Sequence, residues 1–293
     1  MSFIELFVPL ALTVSLGAAA HATPEGDKAR ADVKAAFGFI PGFIKMVPDN
    51  ALPGAWSEMA GFQMNPMTLL SGKAKELIGL AVSAQVPCRY CIYAHTEFAK
   101  LNGASREEIA EAVTMAALTR HWSTFINGLV PDEGAWRAAV DKMVAYVTNP
   151  PKGPPAPPAV DPNDPAKSAL AEIQAAFGTV PEFLARVPPA ALPGAWAEMR
   201  DVELDGKTAI DPKTKSLISL AVAAQIPCRY CLIADSAFAR LGGATDAEIA
   251  EAITMASIVR HWSTLMNGLQ LDEVAFKRDV DRIVRDVRKS AGR

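Results

Sequence analysis

Residues 71–101 read SGKAKELIGLAVSAQVPCRYCIYAHTEFAKL, and the backbone class follows from their spacing. After Glu76 the run LIGLAVSAQ presents apolar residues on every side of a helix, the pattern of a helix buried all round. Pro87 interrupts it. A proline is tolerated in the first turn of a helix, so Pro87 and Cys88 open a second helix that runs through CRYCIYAHTEFAKL and stops at Gly103. Ser105-Arg-Glu-Glu108 is a capping box that opens a third helix. A fourth helical stretch covers Leu118 to Leu129, and DEGAWRAAVDKMVAYV, residues 132–147, supplies a fifth. Nothing alternates with the period of a strand. The expected fold class is all-α.

The same signals return with an offset of 140. AAFGFIPGF at Ala35 recurs as AAFGTVPEF at Ala175, ALPGAW at Ala51 recurs at Ala191, PCRYC at Pro87 recurs at Pro227, and RHWST at Arg120 recurs at Arg260. Aligned without a gap, residues 35–148 and 175–288 share 60 identities in 114 positions, so one fold is built twice. Thr245-Asp-Ala-Glu248 repeats the capping box. The repeats are read as 30–148 and 167–290. Between them NPPKGPPAPPAVDPNDPA, residues 149–166, carries eight prolines and reads as a semi-rigid spacer.

The chain has 293 residues, room for about two domains of ~150 residues each. Half of its residues are hydrophobic (50%) and only 21% are charged, which excludes a disordered chain. Lys plus Arg at 29 against Asp plus Glu at 32 leaves a net charge of -3, with no basic excess for nucleic acid. From Leu6 to Ala20 runs LFVPLALTVSLGAAA, too short to cross a bilayer but suited to the core of a secretory signal. Ala20-His21-Ala22 has the small-x-small form of a cleavage site, so residues 1–22 are read as a signal peptide and Thr23 as the mature start. The leader lacks a basic residue before its apolar core. A periplasmic or secreted protein is expected, with no membrane association after cleavage; an uncleaved docked helix in a cytoplasmic protein is the alternative.

All four cysteines lie in two CRYC tetrapeptides, 88–91 and 228–231. Covalent haem attachment needs a histidine after the second cysteine, where Ile92 and Leu232 stand. Zinc needs four ligands, and a pair wound into a helix start lacks the usual knuckle. Neither a metal nor another cofactor is expected. Redox use suits the place, because the free N–H groups and dipole of a helix N-terminus favour thiolate and the partner three residues away can close a disulfide. Structural disulfides are the bland alternative. His95 follows Cys91 by four residues and Cys88 by seven, so all three share one helical face. An imidazole beside a thiol can take or return its proton. Glu76 lies on the preceding helix, where burial would make it a general base and exposure would leave it a solvated first-turn carboxylate.

The order Glu76, Cys88-Arg-Tyr-Cys91, His95, Gly103 and a capped helix resembles the alkylhydroperoxidase D and carboxymuconolactone decarboxylase-like family, over about 60–130 and again 200–270. The resemblance implies an all-helical fold that assembles into homo-oligomers, with peroxidase or disulfide-reductase activity of an antioxidant, peroxiredoxin-like kind. It implies Cys91 as the thiol oxidised to sulfenic acid, Cys88 as its resolving partner, and Glu76 with His95 as the proton relay. The substrate would be a peroxide, and an external dithiol or thioredoxin-like protein the reductant. Rival readings are a lactone-acid decarboxylase, which needs no thiols, and a non-catalytic scaffold with structural disulfides.

The second copy keeps Cys228 and Cys231 but has Ser216 for the glutamate and Asp235 for the histidine. It is read as a degenerate, mainly structural site in which the aspartate opposes thiolate formation at Cys231 by repulsion. His121 and His261 stand identically in both RHWST motifs; a packed helix or subunit contact with Arg120 and Trp122 is expected, and a thiol pocket across an interface is the alternative.

Overall fold

Short polar residues start most of the longer helices. Thr23 Oγ1 accepts the N–H of Gly26 (2.9 Å), and Ser71 Oγ accepts that of Ala74 (3.1 Å). In the first capping box Ser105 Oγ accepts from Glu108 N–H at 3.1 Å while Ser105 N–H donates to Glu108 Oε2 at 2.7 Å; the box at Thr245 and Glu248 closes likewise. Each satisfies two N–H groups that a bare helix end leaves open.

The computed structural model describes residues 23–150, 161 and 163–292. The apolar leader and the middle of the proline-rich spacer lie outside them. The first repeat runs α1 (Pro24–Phe37), α2 (Gly42–Lys45), α3 (Leu52–Glu58), a π-helical turn (Met59–Gln63), α4 (Gly72–Gln85), α5 (Arg89–Leu101), α6 (Arg106–Leu129) and α7 (Glu133–Thr148). The second runs α8 (Pro165–Phe177), α9 (Glu182–Ala185), α10 (Leu192–Glu198), a π-helical turn (Met199–Leu204), α11 (Pro212–Gln225), α12 (Arg229–Leu241), α13 (Asp246–Gly268) and α14 (Glu273–Ser290). The fold is all-α. No strand occurs among the described residues, and none of their helices is long and apolar enough to cross a membrane.

Two sequence expectations need correction. The third and fourth helical stretches form one helix, α6, because no glycine or proline interrupts residues 106–127. Cys88 sits outside α5 as its N-cap, with extended backbone (φ -86, ψ 95) that a helical residue lacks.

The repeats are interleaved. Helices α4, α6, α11 and α13 share one central core, in which Leu77, Ile78 and Leu118 meet Ile218, Leu220 and Val259. The closing helices then change sides: α14 packs on α5, and α7 packs on α12. One outer core therefore joins Val33 and Trp56 to Trp262, Phe276 and Val280, and the other joins Ile173 and Trp196 to Trp122, Trp136 and Val140. Burying a side chain such as Phe276 or Val280 in this way contributes roughly 1.5–3 kcal/mol. Polar ties follow the same exchange. Tyr90 Oη donates to Leu271 O (2.6 Å) and Tyr230 Oη to Pro131 O (2.9 Å).

Candidate active site

The first site is built where α4, α5 and the π-helical turn meet. Cys88 Sγ accepts the N–H of Cys91 (3.3 Å), and Cys88 N–H donates to Ser83 O (3.0 Å), so the pair is fixed at the start of α5. Both thiol pairs, Cys88–Cys91 and Cys228–Cys231, are closed as disulfides. Cys91 lines a cavity of about 460 Å³, and Cys88 is wholly buried behind it.

Glu76 and His95 line the same cavity, both more than nine-tenths buried. His95 Nδ1 lies 2.6 Å from Glu76 Oε2, and Gln63 Nε2 donates to Glu76 Oε1 at 3.1 Å. The carboxylate therefore orients the imidazole, and the π-helical turn orients the carboxylate. Gly79 makes room for the ring: a Cβ there would stand 2.6 Å from His95 Nδ1 and Cε1, closer than carbon and nitrogen can pack. Nearby, Lys75 is buried with its Nζ donating to Phe62 O (2.8 Å), Asn65 O (2.7 Å) and Thr68 Oγ1 (2.9 Å). Burial pulls its pKa below the ordinary lysine value, against the opposing charges of Glu251 and Glu76. The far wall of the cavity comes from the second repeat, through Trp262, Phe276 and Ile283.

All four residues singled out in the first repeat thus meet at one place: Glu76, Cys91 and His95 on the cavity and Cys88 behind it. Gln63 and Gly79 were missed. Their signal was present at the 140-residue offset, where Glu203 and Ser219 replace them together with the changes at 76 and 95.

The second site has the same frame and different chemistry. Cys231 lines a cavity of about 480 Å³ whose far wall includes Trp122 and Trp136 of the first repeat. Ser216 faces it with its hydroxyl donating to Pro212 O (3.1 Å). Asp235 lines it too, and its Oδ2 is screened from solvent with no hydrogen-bond partner. Burial first, then the neighbouring charge of Glu203, pushes the Asp235 carboxyl well above the usual range. Glu203 is itself pushed up to about 7 by burial, with Lys215 opposing. An aspartate held toward its neutral form does not repel a thiolate, so the expected electrostatic opposition to Cys231 does not follow from this geometry. A carboxyl group is moved from α11 to the π-helical turn, and Ser219 takes the space that Gly79 leaves for an imidazole.

The RHWST histidines are not packed inside. His121 and His261 are exposed and lie edge-on to Trp122 (4.8 Å) and Trp262 (5.6 Å). It is the adjacent indole of each motif that closes the thiol cavity of the other repeat.

A solved structure from Burkholderia xenovorans LB400, named as a candidate gamma-carboxymuconolactone decarboxylase subunit, superposes with a TM-score of 0.51 and 18% identity, covering 91% of this chain and 99% of that one. It shares the fold. No curated protein matches the chain. The model of the carboxymuconolactone decarboxylase family matches residues 51–129 and 190–273, one match on each repeat and more than half of the sequence. This chain belongs to the carboxymuconolactone decarboxylase family.

Proposed function

We propose that the protein is a thiol-dependent peroxidase whose working site is the first repeat. The observation that carries this reading is the buried Glu76–His95 pair on the same cavity as Cys91. In the reduced pair, His95 held by Glu76 takes the Cys91 proton, and the thiolate attacks one peroxide oxygen. The O–O bond breaks as the S–O bond forms, and the departing alkoxide leaves as an alcohol after regaining a proton from the relay. Cys88 Sγ then attacks the Cys91 sulfenic acid and releases water, giving the disulfide. An external dithiol, small or thioredoxin-like, returns two electrons and two protons from the cavity side and becomes a disulfide itself.

A lactone-acid decarboxylase is less well supported, because such a substrate brings carboxylates and the Lys75 ammonium on this cavity is already committed to three oxygens. The proposal includes export, with a mature start near Thr23 that N-terminal sequencing of native protein checks, and assembly into homo-oligomers.

The deciding experiment follows peroxide consumption driven by a dithiol. Cys91→Ser should abolish turnover, His95→Ala should slow it by ~10²-fold or more, and Cys231→Ser should leave most of it. Equal losses from Cys91→Ser and Cys231→Ser, or lactone-acid decarboxylation that persists in Cys91→Ser, would overturn the reading.

A further inference from the structure

The second cavity keeps the size of the first but not its polar groups. Among the described residues, the ionisable side chains that line it are both acidic, Glu203 and Asp235. Lys215 acts on Glu203 only from behind the wall and does not line the cavity: it is 1% exposed, and its Nζ is bound by Val202 O (2.5 Å), Asp205 O (2.6 Å) and the Glu111 carboxylate (3.1 Å). In the first cavity Glu76 is satisfied by His95 and Gln63, whereas in the second Asp235 Oδ2 is buried with no donor. The rings of Trp122, Trp136, Phe177 and Phe183 line the same cavity, with Phe183 5.6 Å from Trp122 and 5.1 Å from Trp136. Loss of the first site's relay alone does not account for this set. Ser219 fills the imidazole's space and Glu203 adds a carboxyl, so the differences work in one direction, toward a cavity whose two carboxyls have no basic side chain beside them on its lining and whose walls are aromatic.

We propose that the second cavity binds an organic cation, a protonated amine on an apolar body, with the ammonium donating to Asp235 and Glu203 and the body against Trp122, Trp136 and Phe183. The ammonium supplies the donor that Asp235 Oδ2 lacks, and aromatic faces attract a desolvated cation. Burial already holds both carboxyls toward their neutral forms, a cost that a bound positive charge offsets. A volume of about 480 Å³ accommodates a small organic ligand. This proposal does not rest on the peroxidase reading of the first site.

Calorimetric titration of the full chain with phenethylammonium and with its neutral counterpart 2-phenylethanol tests it. The amine should bind at least about tenfold more tightly than the alcohol, the ratio expected for a charge-assisted hydrogen bond. Asp235→Asn and Glu203→Gln, which preserve shape, should each weaken the amine by about tenfold and leave the alcohol unchanged. Equal affinity of the two probes for the unaltered protein would overturn the proposal, as would amine binding unmoved in the folded double variant. Absence of saturable amine binding would overturn it too, and these measurements on the unaltered protein decide the matter even where a variant does not fold.

Discussion

At the residue scale, the difference between the two relay sites lies in four positions that change together: Gln63 and Glu203, Glu76 and Ser216, Gly79 and Ser219, His95 and Asp235. Converting the second site to the first therefore takes more than restoring the glutamate and the histidine. With Ser219 in place an imidazole at 235 is overpacked, a strain of about 1–3 kcal/mol, and with Glu203 in place a glutamate at 216 meets a second carboxyl instead of an amide donor. In a Cys91→Ser background, Ser216→Glu with Asp235→His should remain silent, whereas adding Ser219→Gly and Glu203→Gln should restore peroxide consumption that depends on Cys231. A folded fourfold variant without turnover would show that the relay needs a further group. Glu203 also leaves a mark on stability. Its carboxyl is raised from 4.5 to about 7, so between those values the folded protein keeps a proton that the unfolded chain has lost. Stability should fall as pH rises through that window, by up to about 3 kcal/mol, and Glu203→Gln should flatten the fall. Parallel denaturation curves for the two proteins from pH 4.5 to 7 would contradict this.

At the scale of elements, the central helices and the two capping boxes were legible because they rest on local chemistry: Ser105 with Glu108, the apolar run after Glu76, and a restart after Pro87, later by two residues than expected, each act within a few residues. The thiol pair and His95 were legible from their helical spacing, and the family resemblance then chose between the two readings of Glu76 and assigned each residue its role. What sequence left unread is non-local. The π-helical turn that brings Gln63 to Glu76, the exchange of α7 and α14, and the role of Trp122 and Trp262 depend on which helix lies opposite, and spacing within one repeat carries no such information. The central contact between the repeats is also tied by buried charge. Glu111 on α6 accepts the N–H groups of Ala209 (2.8 Å) and Ile210 (3.2 Å) and pairs with buried Lys215 of the other repeat at 3.1 Å. Glu251 on α13 does the reciprocal work at Leu69 (2.9 Å) and Leu70 (2.7 Å). Removing one member of a buried pair strands the other, so Glu111→Ala should destabilise the protein by about 3–5 kcal/mol in urea denaturation. A loss below about 0.5 kcal/mol, the ordinary surface value, would show that the tie is dispensable.

At the scale of the whole molecule, the chain is a dimer drawn as a monomer, since each thiol cavity is closed by the repeat that does not carry its cysteines. The symmetry is close at the walls: Trp122 answers Trp262, Trp136 answers Phe276, and Val140 answers Val280. A first half produced alone, residues 23–150, has its own α7 with no α12 to receive it, and its α5 lacks the cover of α14. Left open, the outer cores expose Trp136, Val140 and Met143 on one helix and Tyr90 on another, surfaces that a small domain does not leave in water. Two such halves can cover each other by trading α7, because the aromatic and branched residues of α7 stand where those of α14 stand in the full chain. The isolated half should therefore be dimeric by light scattering at micromolar concentration, a closed two-fold exchange of the kind that self-complementary surfaces form. Each half in that dimer carries Glu76, His95 and the Cys88–Cys91 pair, so turnover should appear once per half-chain. A folded monomeric half with full peroxide turnover would show that the partner repeat is not needed to build the cavity.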